Sequence, residues 1–583
     1  MGEVVRISGE SVGYAFSTGW NCVSVGHAKL SPRIISIAAG TNSPTDAPAY
    51  FWNATDGTTE FVYASNNDFA WKFSVSANVI TLEDEQDFSG GTAGRGDFFL
   101  GDYHLPLGAT TRFRTLTSIA ATGAGADTWR QADASTFAIA FARVDDGPTA
   151  KLMRATANSQ VSVCSDDPHQ LASWGGDWAV GDTTQSITNA INLGPVLAVM
   201  RKDGLWIWDP RTGIFAAERV PFSTTVDDNN GTGAAAAQGT ETLLLDSASG
   251  LKAVVGRSVS SIGPDTIPTN DRIDNVTLEP FSGRHYDGVF ASDDWCYSLY
   301  RVVEDGTTRT YILAGNIKDR LDNPLWHSFV SMDAACRGLH IDKFKRLWWA
   351  DSTNNKFHYV QLGAGGQPNA GRDGIGFGAT SAAHTLYLPE VMFEPPATLS
   401  QLMEMEVRVR GIDADSPIQL QAAVDGAAPA NVGTTITAAS SSAAPSRRFF
   451  TLGGEEDAAP DEGFAVRPVI SLTTTASFNP ATDEPDLWGV TIRGIPRPER
   501  TGRWHIIIDS LSELDGGGMP PPPFVQREML LALENGTPVK IEVVGGDAIT
   551  AMITDVIDAG LFKETDDTFS YRIEIRAEEY AVA

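Results

Sequence analysis

The sequence predicts a mainly β protein. We expect a β-propeller-like domain over residues 1–385, a β-sandwich over 386–500, a strand and Gly/Pro linker over 501–523, and a small C-terminal α+β half-barrel module over 524–583. Three observations carry this reading. Helical periodicity is nearly absent, while short runs rich in Val, Ile, Thr, Phe, Tyr and Trp recur between Gly, Asn and Asp turns. A Trp-to-Phe spacing repeats in the first two thirds of the chain. A Gly-Pro stretch sets the last segment apart.

In the first region strands run into Asp-Gly turns. Pro195 to Met200 precedes Asp203-Gly204, and Tyr297 to Val302 precedes Asp305-Gly306, a pattern that predicts tight hairpins. Phe51-Trp52 is followed by Phe61, Leu205-Trp206 by Phe215, and Leu347-Trp348 by Phe357, so that Phe stands nine residues after each Trp. Asp209 and Asp351 stand three residues after the second and third Trp. One hairpin used repeatedly would do this: Trp fills a core layer, and Phe returns to that layer on the next strand. The copies lie 154 and 142 residues apart. Each gap has room for three units of about 50 residues, the size of a four-stranded propeller blade. Six to eight blades would then fill residues 1–385, with Trp52, Trp206 and Trp348 at equivalent positions. The alternative is coincidence among 14 Trp and 27 Phe.

Residues 386–500 change character, with no Cys and one Trp. Met405 to Arg410 alternates apolar and charged residues, and Ile418 to Val424 alternates before Asp425-Gly426. One buried face and one wet face are what a sandwich sheet presents. Gly516-Gly517-Gly518-Met519-Pro520-Pro521-Pro522-Pro523 reads as a linker, flexible and then stiff. The one helix predicted follows it, with Val525, Met529 and Leu533 on one face and Asn535-Gly536 as its stop. Strands at Val539 to Val543, Ala551 to Val556 and Tyr571 to Arg576 complete the module.

Acidic residues outnumber basic ones, 73 to 43, for a formal net charge of −30. Such a chain repels phosphate at long range, so no nucleic-acid partner is expected. The densest basic run, Asp342-Lys343-Phe344-Lys345-Arg346, reads as a solvated strand end. Cys22, Cys164, Cys296 and Cys336 lie far apart without metal-ligand spacing and are expected as buried free thiols. Neither a signal-peptide core at the start nor an apolar stretch of spanning length is apparent, so no membrane insertion is expected.

A search for chemistry returns no constellation that outweighs a structural reading. The sequence has no His-Glu-x-x-His, Cys-x-x-Cys, Gly-x-Ser-x-Gly or P-loop pattern. Gly374-Ile375-Gly376-Phe377-Gly378 lacks a βαβ context and reads as a loop. Asp166-Asp167-Pro168-His169 and Asp227-Asp228-Asn229-Asn230 could hold a hard cation or serve glycoside chemistry, but Asp and Asn clusters favour turns. Arg95-Gly96-Asp97 invites an adhesion reading, and its composition is equally that of a chance tripeptide in a Gly-rich loop. Acids beside aromatics, Trp174, Asp177 and Trp178, and Asp293, Asp294 and Trp295, form the best candidate glycan-binding surface. Their competing reading is core plus polar turn. No catalytic, cofactor-binding or metal-binding residue is assigned, and the chain is not expected to be an enzyme.

The order of the last 200 residues resembles a family of large phage minor tail proteins, in which a propeller-like region, a β-sandwich and a small closing module follow one another. The resemblance is carried by the turn Trp488-Gly489-Val490-Thr491-Ile492-Arg493-Gly494-Ile495-Pro496-Arg497-Pro498-Glu499-Arg500. It is carried as well by the closing segments Met529 to Leu533, Val539 to Val543, Ile553 to Val556 and Tyr571 to Ile575. The chain departs from the family at Ile506-Ile507-Ile508-Asp509, where members tend to carry a Pro-Leu strand. The resemblance implies a virion structural protein of a tail tip or baseplate, assembled in the host cytoplasm. It would be anchored by its C-terminal part and would present the propeller outward for host attachment. Other phage tail proteins are the implied partners, in a symmetric homo-oligomer, with a host surface glycan as a further one. Val539, Ile541, Tyr571, Ile573 and Ile575 are the candidate assembly interface. The rivals are a propeller lectin or receptor-binding protein, which is compatible with a virion role, and a polysaccharide-degrading propeller enzyme. Incubating the purified protein with host surface glycans is expected to release no reducing ends. Activity lost on mutating Asp166 or Asp167 would reverse the turn reading of that cluster.

Overall fold

The computed structural model describes residues 3–7, 16–18, 20–21, 28–77, 79–120, 127–146, 149–156, 159–182, 184–193, 196–208, 218–220, 226–236, 242–247, 250–255, 258–263, 282–292, 294–304, 306–317, 325–368, 382–388, 391–392, 400–438, 446–451, 462–479, 485–496, 503–511, 539–541, 549–563 and 569–579. The protein is mainly β, and no α-helix occurs among the described residues.

Seven four-stranded antiparallel sheets follow one another along the chain. Their first strands are Ala49–Thr55, Asp97–Phe99, Ala140–Asp146, Ile187–Leu193, Ala235–Ala236, Ser282–Ala291 and Cys336–Ile341. Each of the first six sheets comes from one stretch of chain, and most strands pair with the next through a hairpin, except in the second sheet, where Asp102–Leu105 pairs with Arg114–Ser118 and the intervening Gly108–Arg112 pairs with Phe137–Ala138. The expected turn after Tyr297 to Val302 forms, with Glu304 opposite Thr307. The one near Asp203-Gly204 sits one residue earlier, because Arg201 pairs with Gly204 and leaves Lys202-Asp203 at the tip.

Strands in these sheets do not alternate. Glu60–Asn66 and Arg346–Asp351 are buried on both faces, as strands must be when each sheet is covered on two sides. The cores show the cover. Trp52 and Phe61 of the first sheet share a core with Tyr103 and Leu105 of the second. Phe99 of the second packs with Phe141 and Leu152 of the third, and Met153 of the third with Val199 and Trp206 of the fourth. Met200 of the fourth packs with Leu243 of the fifth, Leu244 of the fifth with Tyr311 of the sixth, and Leu299 of the sixth with Trp349 of the seventh. The seventh core returns to the start, joining Trp348 and Phe357 to Val62 and Trp71 of the first sheet.

The seventh sheet takes its outer strand from far upstream. Strand β5, Ile35–Ala38, pairs with Lys356–Gln361, placing Ser36 opposite His358. Ser36 Oγ lies 2.9 Å from His358 Nδ1, and His358 Nε2 lies 3.1 Å from Asp351 Oδ2. Asp351 Oδ1 also accepts the backbone N–H groups of Thr353 and Asn354, fixing the turn between the two inner strands. The carboxylate thus links a hairpin tip to the strand that completes the sheet.

Two expectations about this region are corrected. Trp52, Trp348 and Trp206 lie on the first, second and third strands of their sheets, so they are not equivalent. Any layer between two sheets can seat an indole, and a nine-residue gap records one strand plus its turn rather than a position within a sheet. Asp209 and Phe215 lie outside the described residues. The basic run is solvated only in part: Lys343 and Lys345 are exposed, but Arg346 and Asp342 are a fully buried ion pair with Nε to Oδ2 at 2.6 Å, and Trp348 Nε1 donates to the same oxygen. Of the cysteines, Cys164, Cys296 and Cys336 are buried free thiols, each pushed up in pKa by burial, and Cys22 lies outside the described residues.

A seven-stranded and a six-stranded sheet form a second body. They share one core that includes Met405, Val407, Leu420, Ile470 and Val490. Ile418–Val424 alternates buried and half-buried residues as its sequence predicts, and Asp425 and Gly426 both take positive φ in the turn that follows. The expected boundary at residue 385 gives the wrong home to the N-terminus. Strands β1 (Glu3–Ile7), β3 (Trp20–Asn21) and β4 (Ala28–Leu30) belong to the sheet containing Asp486–Pro496, and β2 (Phe16–Thr18) pairs with Ala383–Tyr387. The sandwich-like strands offered unpaired edges, and edge pairing is blind to distance along the chain.

The C-terminal segment forms a four-stranded antiparallel sheet in the order Arg503–Leu511, Phe569–Glu579, Ile549–Lys563, Val539–Ile541. Residues 503–511 thus join this sheet instead of the linker. Phe569–Glu579, which carries the candidate interface residues Tyr571, Ile573 and Ile575, is an inner strand paired on both sides. The predicted helix, with Val525, Met529 and Leu533, lies outside the described residues.

The first strands of the seven sheets approach closely. A Cβ on Gly233 would sit 2.6 Å from Gly288 Cα, and one on Gly288 would sit 3.3 Å from Gly338 Cα. Gly338 takes φ +66°, and a Cβ there would collide with the Ala49 carbonyl oxygen. Gly338→Ala is therefore expected to cost about 3 kcal/mol or more, from left-handed strain plus backbone displacement. Gly57→Ala, at φ +93° with open space around it, is expected to cost only about 1 kcal/mol. Urea denaturation of both variants measures the difference.

Candidate functional site: the cavity between the first strands

The first strands enclose a cavity of about 410 Å³. Its walls come from residues 49–53 of the first sheet, 95–98 of the second, 190–192 of the fourth, 289–291 of the sixth and 338–340 of the seventh, with 232–234 leading into the fifth. Ligand pockets span roughly 300–1,000 Å³ and carry few polar groups on mostly apolar walls. This cavity falls in that size range, and its walls are about as polar as they are apolar.

Aromatic residues line one part. Trp52 stacks between Tyr63 at 5.2 Å and Tyr103 at 4.0 Å. Its Nε1 is buried without a hydrogen-bond partner among the described residues. The Phe51 ring lies parallel to His340 at 6.3 Å and edge-on to Phe357 at 6.1 Å. Burial pushes the phenols of Tyr50 and Tyr103 upward, so both stay protonated at neutral pH and can donate.

The polar groups are few and spaced apart. Arg95 Nη1 donates to Ala234 O at 2.7 Å, linking the second sheet to the fifth. No ion pair holds Arg95 among the described residues. Asp97 does not supply one, since its oxygens accept the backbone N–H groups of Phe98 at 2.8 Å and Arg143 at 2.6 Å. Burial raises the Asp97 pKa, and those two bonds oppose the rise. His340 Nε2 lies 3.0 Å from Asn53 Oδ1, and burial depresses its pKa to about 3, which keeps the ring neutral. Asn192 Oδ1 is a second buried polar atom without a partner among the described residues.

Behind the wall lies Asp246, fully buried. Its carboxylate accepts the Gly233 N–H at 3.0 Å. Burial, reinforced by the charge of Asp287, pushes its pKa up to about 8. Asp287 is itself clamped by Arg301 Nε at 2.5 Å and Arg337 Nη1 at 2.7 Å. Asp246 has no cation of its own and holds its proton instead.

The residues singled out in the sequence mostly lie elsewhere. Trp174 is core, with Nε1 donating to Pro168 O and the Arg154 guanidinium over its ring. Trp178 and Trp295 are half-buried against the cores between the third and fourth and the sixth and seventh sheets. Asp177 is exposed, Asp294 is half-buried, and Asp293 lies outside the described residues. The two clusters belong to the third and sixth sheets, so they do not form one surface. Asp167 caps its own turn, bonding His169 N and Nδ1, and these bonds hold its pKa near about 2 against the opposing effect of burial. Asp227 likewise accepts Asn229 N within a turn. Gly374 to Gly378 lies outside the described residues, and of Val539, Ile541, Tyr571, Ile573 and Ile575 only strand membership is described. The residues that sequence reading set aside are Arg95 and Asp97. The tripeptide was visible, but nothing in it signals that five other strands converge on it. Among the described residues lining the cavity Asp97 is the one carboxylate. No three His, Cys, Asp or Glu side chains are grouped for a metal ion among the described residues.

Asp246 gives the site a pH signature. Its folded pKa lies above the unfolded value of about 4, so its stabilising effect is complete below about pH 4 and is lost as pH rises through about 8. Asp246→Asn keeps an acceptor for Gly233 N–H without the proton. The variant is expected to gain several degrees in Tm over the parent between pH 5 and pH 8, and thermal scans across that range measure it. A constant difference would mean that Asp246 does not titrate there.

No family model matches the sequence, and no curated protein matches it. Among solved structures the chain is similar to the computationally designed Ika8 protein, at 10% identity over 55% of this chain and 98% of that one, TM-score 0.30. It is similar to BBS1N from a complex with ARL6DN, at 9% identity over 58% and 99%, TM-score 0.38. A third is the extracellular domain of the putative hybrid two-component system BT4673 from B. thetaiotaomicron, at 10% identity over 75% and 61%, TM-score 0.38. Likenesses this distant bear on neither fold nor function.

Proposed function

We propose that the protein is a non-enzymatic structural component of a phage tail tip or baseplate. In this reading the seven four-stranded sheets are the blades of a propeller that faces outward, toward the host surface. Support for the propeller comes from the return of the seventh core to the first sheet and from β5 completing the seventh sheet. The shared core of the second body supports a β-sandwich, tied to the propeller both through β5 and through the chain leaving the seventh sheet. The C-terminal sheet is the anchor, and closure into a half-barrel would require contacts beyond the strands described.

The observation that carries the proposal is the strand order of that C-terminal sheet. Among the described strands, the nine-residue Arg503–Leu511 pairs only with Phe569–Glu579, and Val539–Ile541 only with Ile549–Lys563. Each has one edge without a partner among the described strands, and in this reading a strand from a neighbouring tail protein pairs there. The docking edges in this reading are those two strands, with Val539 and Ile541 on one of them, while Tyr571, Ile573 and Ile575 support them from within the sheet.

A deletion tests the anchor. It must start at residue 501, because removing only 516–583 would strand Arg503–Leu511 without its partner. Particles assembled with the 501–583 deletion are expected to lack this protein while the truncated chain stays folded and soluble. Incorporation at normal copy number would refute the anchoring role.

A further inference from the structure

We infer that the cavity between the first strands binds one acidic sugar residue, a hydroxylated ring carrying a single carboxylate. The assignment deepens the host-surface part of the proposed function and rests on it for its biological sense. Binding by the purified protein is nevertheless read independently of particle assembly.

The charge comes first. Arg95 is a half-buried guanidinium on the cavity wall whose one polar contact among the described residues is Ala234 O. A guanidinium offers five N–H donors, and a carboxylate matches its fork with two parallel bonds. Leaving those donors beside a solvent-poor wall is costly without an acceptor. Asp97, the one carboxylate in the lining, is engaged by the Phe98 and Arg143 N–H groups and makes no ion pair with Arg95 among the described residues, so Arg95 as the single cation suits a single negative charge. A phosphate carries nearly two charges, and no second cation lines the cavity among the described residues. A cationic ligand would face Arg95 directly, and a wholly apolar one would bury its donors unpaired.

Next come the hydroxyl-sized partners. Trp52 Nε1 is a donor and Asn192 Oδ1 an acceptor, both buried without partners among the described residues. His340 is neutral, and with Nε2 engaged by Asn53 its Nδ1 is left as an acceptor. Sugar hydroxyls both donate and accept, which suits such a mixed set, although Trp52 Nε1 and Asn192 Oδ1 are buried and meet a ligand only if their side chains shift toward the cavity they line. The flat apolar faces of Phe51, Phe98 and Phe290 suit the C–H face of a pyranose ring, and about 410 Å³ accommodates one residue of a chain rather than several.

Calorimetric titration of the full-length protein tests this with three probes: sodium D-glucuronate, D-glucose and sodium acetate. Glucuronate is expected to bind, with glucose and acetate weaker by about tenfold or more, a gap of about 1.4 kcal/mol each. Arg95→Gln is expected to weaken glucuronate by about tenfold while glucose is unchanged. If that variant does not fold, Asn192→Asp keeps Arg95 and adds a repelling carboxylate, and the same selective loss is expected. Absence of glucuronate binding at about 10 mM, glucose binding as tightly as glucuronate, or indifference of glucuronate affinity in the folded variant would each overturn the inference. None of these results touches incorporation of the protein into particles, which the 501–583 deletion reads separately.

Discussion

Seven sheets with apolar side chains on both faces cannot stop in solvent, and this two-sided burial is the constraint on which the rest of the structure depends. A last sheet with a bare face would expose residues such as Trp348 and Phe357, which are fully buried. At roughly 25 cal/mol per Å² of apolar surface, exposing several aromatic side chains would cost many kcal/mol. The chain meets the constraint by sharing the seventh core with the first sheet. It secures the meeting point with a strand, β5, drawn from before the first sheet. The Ser36, His358 and Asp351 contacts fasten that strand at its centre.

The same packing makes the cavity. Bringing the first strands together leaves room for glycine or alanine at their closest approaches, as at Gly233, Gly288, Gly338 and Ala49. Where the backbone is this close, side chains beyond the contact point inward from several sheets at once. Arg95, Asn53, Asn192 and His340 meet there although up to 287 residues separate the paired ones. Their polarity is affordable only in part: Asp97 and His340 find local partners, Asp246 keeps its proton, and Arg95 keeps donors to spare. An incompletely satisfied set facing a void is a place for a ligand to act, whereas a buried ion pair such as Arg346 with Asp342, packed within a hairpin, is a strut.

Much of the local structure was legible in residues alone, because it is set by neighbours in sequence. The mainly β class, the hairpin after Tyr297 to Val302, the alternation of Ile418–Val424 and the Asp425-Gly426 turn all follow from side-chain period and turn chemistry over a few residues. Asp167 and Asp227 as turn caps follow in the same way. The Trp spacing shows where such reasoning stops. It detected real hairpins in Phe51-Trp52 and Leu347-Trp348, but hairpin length cannot say which pair of strands in a sheet is meant.

What the tertiary structure alone decided concerns pairings without a local signature. The described strands before residue 31 complete the sheets of the second body, residues 503–511 join the C-terminal sheet, and Phe569–Glu579 is an inner strand. An unpaired strand edge accepts any strand that reaches it, so its partner depends on where the other elements have already packed. The cavity has the same origin. Arg-Gly-Asp at 95–97 is an ordinary tripeptide until the first strands converge on it, and convergence depends on how the sheets pack against one another. The sequence by itself determined which segments are strands and which faces are apolar, since those depend on period and composition. The order in which edges meet, and therefore the site, depended on the long-range burial of both faces.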